Sequence, residues 1–173
     1  GGEILNYDIA PVTISLLKGL MKPILNEDVN DINAPIIAKE RGIRVVESKS
    51  NRVEDYASLI TLTVKTANEA SVTAGTLFGK KDPRIVRVNK FTLDVIPEGH
   101  MLVLSNYDKP GVVGNIGTIL GENNINIARL HLSREQVDQQ ALVVLSTDSM
   151  VNEEILEKLR SLPHVIAVTY LEI

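Results

Sequence analysis

The chain of 173 residues has no cysteine and no tryptophan, and only four tyrosines and two phenylalanines. Without cysteine, disulfides and thiolate metal sites are excluded. Aromatics amount to 3% while hydrophobic residues reach 44%, so any core has to be built from Ile, Leu, Val and Ala. Basic runs are equally scarce: none exceeds Lys80-Lys81, the net charge is −4, and a nucleic-acid partner is not expected. There is no apolar run of membrane-spanning length and no signal-like segment, so no membrane partner is expected and a reducing cytoplasm is the default location. The three histidines, His100, His131 and His164, show no metal-ligand spacing and no Ser/His/Asp arrangement. Glu153-Glu154 reads as helix-start charge rather than an acid/base pair. A Gly-x-Gly-x-x-Gly segment is also missing. Catalytic residues, a metal and a cofactor are therefore not expected in this chain. It opens at Gly1-Gly2-Glu3-Ile4 without Met, as expected of a piece of something longer.

What is present is clear periodicity. Ile9, Val12, Leu16, Leu20 and Ile24 predict a helix from about Ile9 to Leu25, with Pro11 in its first turn. A second helix is expected over about Asp28–Arg41, closed by Gly42, with Pro35 marking a kink or a later start capped by Asn33. Their apolar stripes suggest a pair packed on a sheet. From Ile43 the period becomes two. Strands are expected over Ile43–Ser50, Leu59–Ala67 and Ala70–Phe78, the last two joined at Asn68-Glu69. A loop, Gly79–Pro83, leads to a further pair over Arg84–Asn89 and Phe91–Ile96. Pro97-Glu98-Gly99 is the clearest break, and a domain border is expected there. Beyond it the order is strand, helix, strand, strand, helix, strand, the split βαβ pattern. It predicts a four-stranded antiparallel sheet with two helices on one face. The fold class expected is α+β: two small α/β-sandwich domains, 1–97 and 98–173, the second ferredoxin-like.

The stretch from Asn106 to Arg134, NYDKPGVVGNIGTILGENNINIARLHLSR, carries the functional signal. Asp108-Lys109-Pro110-Gly111 separates a strand from a helix with Val112, Val113, Ile116, Ile119 and Leu120 on one face, ended by Gly121 and Glu122-Asn123-Asn124. Pro110 suits a first helical turn, and Asp108 is placed to cap it. The N–H groups of Gly111, Val112 and Val113 then offer a seat for a carboxylate. Asp108 beside them offers one for an ammonium, which together suits a free amino acid. The bland reading of Asp-x-Pro-Gly is a turn. Gly114-Asn115-Ile116-Gly117 falls inside the helix, where small residues permit close packing.

The stretch resembles the ACT domain, a small module that binds amino acids. Ile125-Asn126-Ile127-Ala128, Leu132-Ser133-Arg134, the Ala141–Leu145 strand and Asp148 continue the match. It is similar to the C-terminal regulatory part of bacterial D-3-phosphoglycerate dehydrogenases. Pro11-Val12-Thr13, Leu17-Lys18-Gly19-Leu20, Ala38–Ile43 and Gly75–Gly79 resemble their intervening, allosteric substrate-binding domain, without the catalytic and NAD-binding half. The resemblance implies that NAD belongs to the parent and that this part serves assembly, as a homodimer or tetramer, and sensing of L-serine or another small amino acid. It implies effector contacts at Asn106, Asp108, Pro110, Gly111, Val112 and Asn126, reached across a dimer. The Ile125–Leu132 strand, expected at a sheet edge with little charge, is poorly protected against pairing with its own copy.

Lys80, Lys81, Arg84, Arg87 and Lys90 form the one basic concentration. They read either as solvated charges or as a phosphate site at Lys81, Arg84 and Arg87, a role that a basic cluster has in the resembling domain; only Arg84 falls on a matching basic position, and Thr92 and Ile96 stand where some relatives have basic residues. The alternatives to the dehydrogenase reading are the β-chain of an iron–sulfur L-serine dehydratase and a free-standing amino-acid-binding regulator.

Overall fold

The computed structural model describes residues 8–25, 28–50, 56–79, 81–135 and 139–173. Lys80, one of the basic residues singled out above, lies outside them. The chain separates into two compact units, 1–62 and 63–173.

In the first unit, α1 (Ala10–Met21) and α2 (Ala34–Glu40) pack as a pair around Leu17, Met21, Val29, Ala34, Ile37 and Ala38. Both helices carry a proline in the first turn, where its missing N–H has no helical partner to lose. The second helix starts at Ala34, not near Asp28. Asn33 stands at its N-cap position without capping it, because its side chain instead accepts from Asn30 N and donates to Asp28 O. Gly42, at φ 70°, closes the helix, with its N–H on Lys39 O and that of Ile43 on Ala38 O. The strand expected over 43–50 is not formed. Val45 and Val46 are left exposed, and periodicity alone does not supply a neighbouring strand to bond with.

Four strands, β1 (Ile60–Lys65), β2 (Ala70–Phe78), β3 (Asp82–Val88) and β4 (Phe91–Val95), form a sheet in the order β1-β2-β3-β4, the unit division falling within β1. The expected loop after Gly79 is shorter than its sequence suggested, since β3 already begins at Asp82. Asn89, at φ 51°, turns β3 into β4.

The rest of the second unit has the expected order: β5 (His100–Tyr107), α3 (Val112–Glu122), β6 (Ile127–Glu135), β7 (Gln140–Thr147), α4 (Glu153–Arg160) and β8 (Val165–Glu172). The sheet order is β6-β7-β5-β8, antiparallel throughout, with β6 at one edge. One face, carrying Leu102, Leu104, Val143 and Leu145, packs against Val112, Ile116 and Leu120 of α3 and Ile155, Leu156 and Leu159 of α4. On the other face Phe91, Leu93 and Val95 of β4 cluster with Met101, Leu142 and Val144. The Pro97–Gly99 break therefore lies inside a compact unit, because β4 contributes to the core on the far side of it. α3 runs through Gly121 to Glu122, and Asn124, at φ 57° with its N–H on Gly121 O, turns the chain away. α4 is capped by Asn152, whose Oδ1 accepts from Ile155 N at 3.0 Å.

Candidate functional site

The turn between β5 and α3 is built differently from the expectation. Gly111 is the N-cap residue, at φ 90°, with no side chain to cap with. Pro110 consequently lies in the turn before the helix and not in its first turn. The helix starts at Val112, whose N–H has only a long contact of 3.5 Å to Lys109 O, and the first helical bond runs from Asn115 N to Gly111 O. The N–H groups aimed out of the helix end are those of Val112, Val113 and Gly114, one residue later than expected.

Asp108 is not the cap. Its Oδ2 accepts from Arg134 Nε at 2.7 Å and lies 2.6 Å from the second guanidinium nitrogen. The hydrogen bond from Arg134 to Asp108, and then the charge of that carboxylate, raise the Arg134 pKa further above its ordinary value. Backbone bonds fix the turn itself, from Asp108 N to Gln139 O and from Lys109 N to Tyr107 O.

Asn106 faces the same side of β5 as Leu102 and Leu104, that is, toward the helices. It is 3% exposed, donates through Nδ2 to Tyr107 O at 2.7 Å, and leaves Oδ1 buried without a partner. A buried acceptor left unpaired is costly and uncommon.

Asn126 lies at the opposite end of the edge strand from Arg134, roughly 26 Å away at the rise of a strand. Its Nδ2 donates to Asp148 Oδ2 at 2.7 Å, and Asp148 N returns a bond to Asn126 O. Within one chain it does not meet Asp108. Asn106, Asp108, Pro110, Gly111 and Val112 follow one another through the end of β5 and the turn into α3, whereas Asn126 sits against Asp148.

In the basic group, a spacing of three on a flat strand would put Arg84 and Arg87 on opposite faces. The register shifts around Val86 correct this: Arg84 stands opposite Thr76 and Arg87 opposite Ala74, two residues of one face. Arg84 is already engaged, with Nε 3.1 Å from Asp94 and its guanidinium 5.2 Å from the centre of the Phe78 ring. Arg87 Nε is buried without a partner. Lys81 is exposed. Among the described residues no three His, Asp or Glu side chains gather as a metal site. No Gly-x-Gly-x-x-Gly segment occurs in the sequence, and Gly114 and Gly117 lie within α3.

The family model of the D-3-phosphoglycerate dehydrogenase intervening domain matches residues 1–89, and that of the ACT domain matches residues 100–164. The chain is 37% identical over 174 residues to D-3-phosphoglycerate dehydrogenase of Archaeoglobus fulgidus, covering 99% of this chain and 33% of that one. It is 32% identical to the Bacillus subtilis enzyme (99% and 33%) and 38% identical to that of Synechocystis sp. (91% and 29%). The chain thus spans about a third of the length of these curated relatives. With the intervening-domain model over its first half and the ACT model over most of its second, the chain belongs to the D-3-phosphoglycerate dehydrogenase intervening-domain family, here joined to an ACT domain.

Proposed function

We propose that this chain is the regulatory and assembly part of an NAD-dependent D-3-phosphoglycerate dehydrogenase, an oxidoreductase at the start of L-serine synthesis in the cytoplasm. Residues 1–97 act as its intervening domain and 98–173 as an ACT domain sensing L-serine. NAD and the oxidation of 3-phosphoglycerate belong to the part of the longer relatives that this chain does not cover. The relatives are dehydrogenases, which disfavours the dehydratase alternative.

The observation that carries the sensing reading is the unpartnered Oδ1 of Asn106 beside the N-terminus of α3. The amino acid's carboxylate meets the N–H groups of Val112 to Gly114, and its ammonium meets Asn106 Oδ1 and the Asp108 carboxylate. Anion binding at a helix end contributes about 0.3–1 kcal/mol when exposed and up to ~2 when partly buried. Charge-assisted hydrogen bonds add roughly 1.5–3 kcal/mol each before ordering costs. The balance suits micromolar to millimolar affinity.

Pairing completes the site. Helices cover one face of the β5–β8 sheet and β4 covers part of the other, which leaves edges for association. Antiparallel pairing of β6 with a second copy about a two-fold near Leu130 sets Asn126 of each chain opposite Arg134, and so beside the Asp108 turn, of the other. A phosphate or carboxylate at Arg87, with Arg84 on the same face of β3, is the second site we propose; the buried, unpaired Nε supports it.

Calorimetric titration of the chain with L-serine tests the main reading. Saturable binding, weakened at least ~10-fold, about 1.4 kcal/mol, in Asp108→Ala is the expected result. Equal binding by that variant places the site elsewhere.

A further inference from the structure

The Asp108 carboxylate assigned above to a ligand's ammonium already holds a cation of this chain. Arg134 reaches it from the far end of β6 and puts two donors on the one oxygen, at 2.7 and 2.6 Å. The two side chains are unequally placed: 28% of Asp108 is exposed, against 65% of Arg134. The carboxylate is held at the strand end by backbone bonds on both sides, from Asp108 N to Gln139 O and from Lys109 N to Tyr107 O. The guanidinium lies mostly in solvent on a long stem and can leave without disturbing the core. Two residues before Asp108 in the chain is the buried acceptor of Asn106, which no group among the described residues satisfies.

Resting on the amino-acid-sensing reading, we propose that Arg134 is a built-in competitor at that site: its guanidinium occupies Asp108 in the free protein and is displaced when an amino acid's ammonium enters. The ligand's ammonium gains two acceptors, Asp108 and Asn106 Oδ1, where the guanidinium has only the first. That difference favours exchange, and exposed ion pairs are weak enough to permit it. The device sets affinity low in the resting protein and confines response to ligands bearing a cation that reaches past Asp108 to the buried amide. Because Arg134 lies on β6, displacement also frees a positive charge at the strand edge proposed to meet a second copy.

The test is calorimetric titration with L-serine of the wild-type chain, Arg134→Met, Arg134→Lys, and Arg134→Met combined with Asp108→Asn, with far-ultraviolet circular dichroism confirming the fold of each. Arg134→Met should bind about fivefold more tightly, the upper range for an exposed ion pair. Arg134→Lys, which keeps the charge, should stay within about twofold of wild type, by the same scale. In the Asp108→Asn background, Arg134→Met should change nothing. If the wild type binds L-serine and Arg134→Met binds it equally or more weakly, the competitor role is overturned; weaker binding would make the guanidinium a receptor for the carboxylate. If neither the wild type nor Arg134→Met binds L-serine or any other amino acid, the sensing reading itself falls and the competitor role with it.

Discussion

Asn106 and Asp108 lie two residues apart at the end of one strand and have opposite polar environments. The Asn106 amide is sealed in with an acceptor that nothing satisfies, while the Asp108 carboxylate is held by a guanidinium at the surface. One position carries a buried acceptor without a partner, the other an ion pair at the surface. The proposed amino-acid ligand would use both, together with the N–H groups of Val112 to Gly114.

Asn106→Ala separates binding from folding. The unpaired Oδ1 contributes nothing favourable to the free protein, and the Nδ2 bond to Tyr107 O is local. Stability should change by less than ~1 kcal/mol, the net worth of one neutral hydrogen bond, in urea unfolding. L-serine affinity should fall at least ~10-fold, about 1.4 kcal/mol. A large loss of stability with unchanged binding would make Asn106 a structural residue only.

The edge strand carries the assembly prediction. Leu130 and Leu132 are 42% and 44% exposed and face one side of β6. Sedimentation at ~100 µM, well above the micromolar constants of specific partners, should show the wild type as a dimer or larger. Leu130→Lys, which puts a charge on the edge, should shift it to monomer with little change in the melting temperature. A monomeric wild type at that concentration would refute pairing through β6.

A third expectation concerns alkaline pH. The Tyr170 hydroxyl lies 2.6 Å from His100 Nδ1, with the rings stacked at 6.1 Å. Burial first, and then the charge of Glu172, raise the Tyr170 pKa above that of a free phenol. The folded state therefore keeps its proton to higher pH than the unfolded state. The stabilising contribution is complete below the unfolded value of about 10 and is lost as pH rises from there through the folded value. In urea unfolding, Tyr170→Phe should be less stable than wild type at pH 8, by about 1 kcal/mol for the lost bond. The gap should narrow at pH 10.5. A gap that widens with pH would reverse the sign of the argument.

Much of this architecture is legible in residue spacing. The alternation of His100–Tyr107 and the apolar face of α3 fix a βαββαβ order, since each element declares its period locally. What escapes is pairing. Ile43–Ser50 has strand composition, yet no strand forms there, because period reports fitness for a sheet and not a neighbour. Asp108 looks like a cap because Asp before Pro-Gly often is one; Gly111 at φ 90° takes that position instead. The partner of Asp108 is 26 residues away, beyond any local pattern, although Arg134 stands in the resembling segment. Arg84 and Arg87 share a face only because the register slips between them.

The glycines of α3 give the last prediction. Their spacing suggests close packing, but a Cβ at Gly114, Gly117 or Gly121 would meet nothing within 4 Å. Gly117 therefore carries the entropic penalty of glycine in a helix without a compensating contact. Gly117→Ala should stabilise the chain by about 0.5–1 kcal/mol, the helix-propensity difference, and leave L-serine binding unchanged. Gly111→Ala should do the reverse. Its added Cβ is also unobstructed, but φ 90° is a left-handed conformation that costs an L-residue roughly 1–2 kcal/mol. Paired urea titrations of the two variants against wild type read both signs at once. If Gly117→Ala destabilises instead, the outer face of α3 is packed against another surface in the assembled protein, and the small residues are there to admit it.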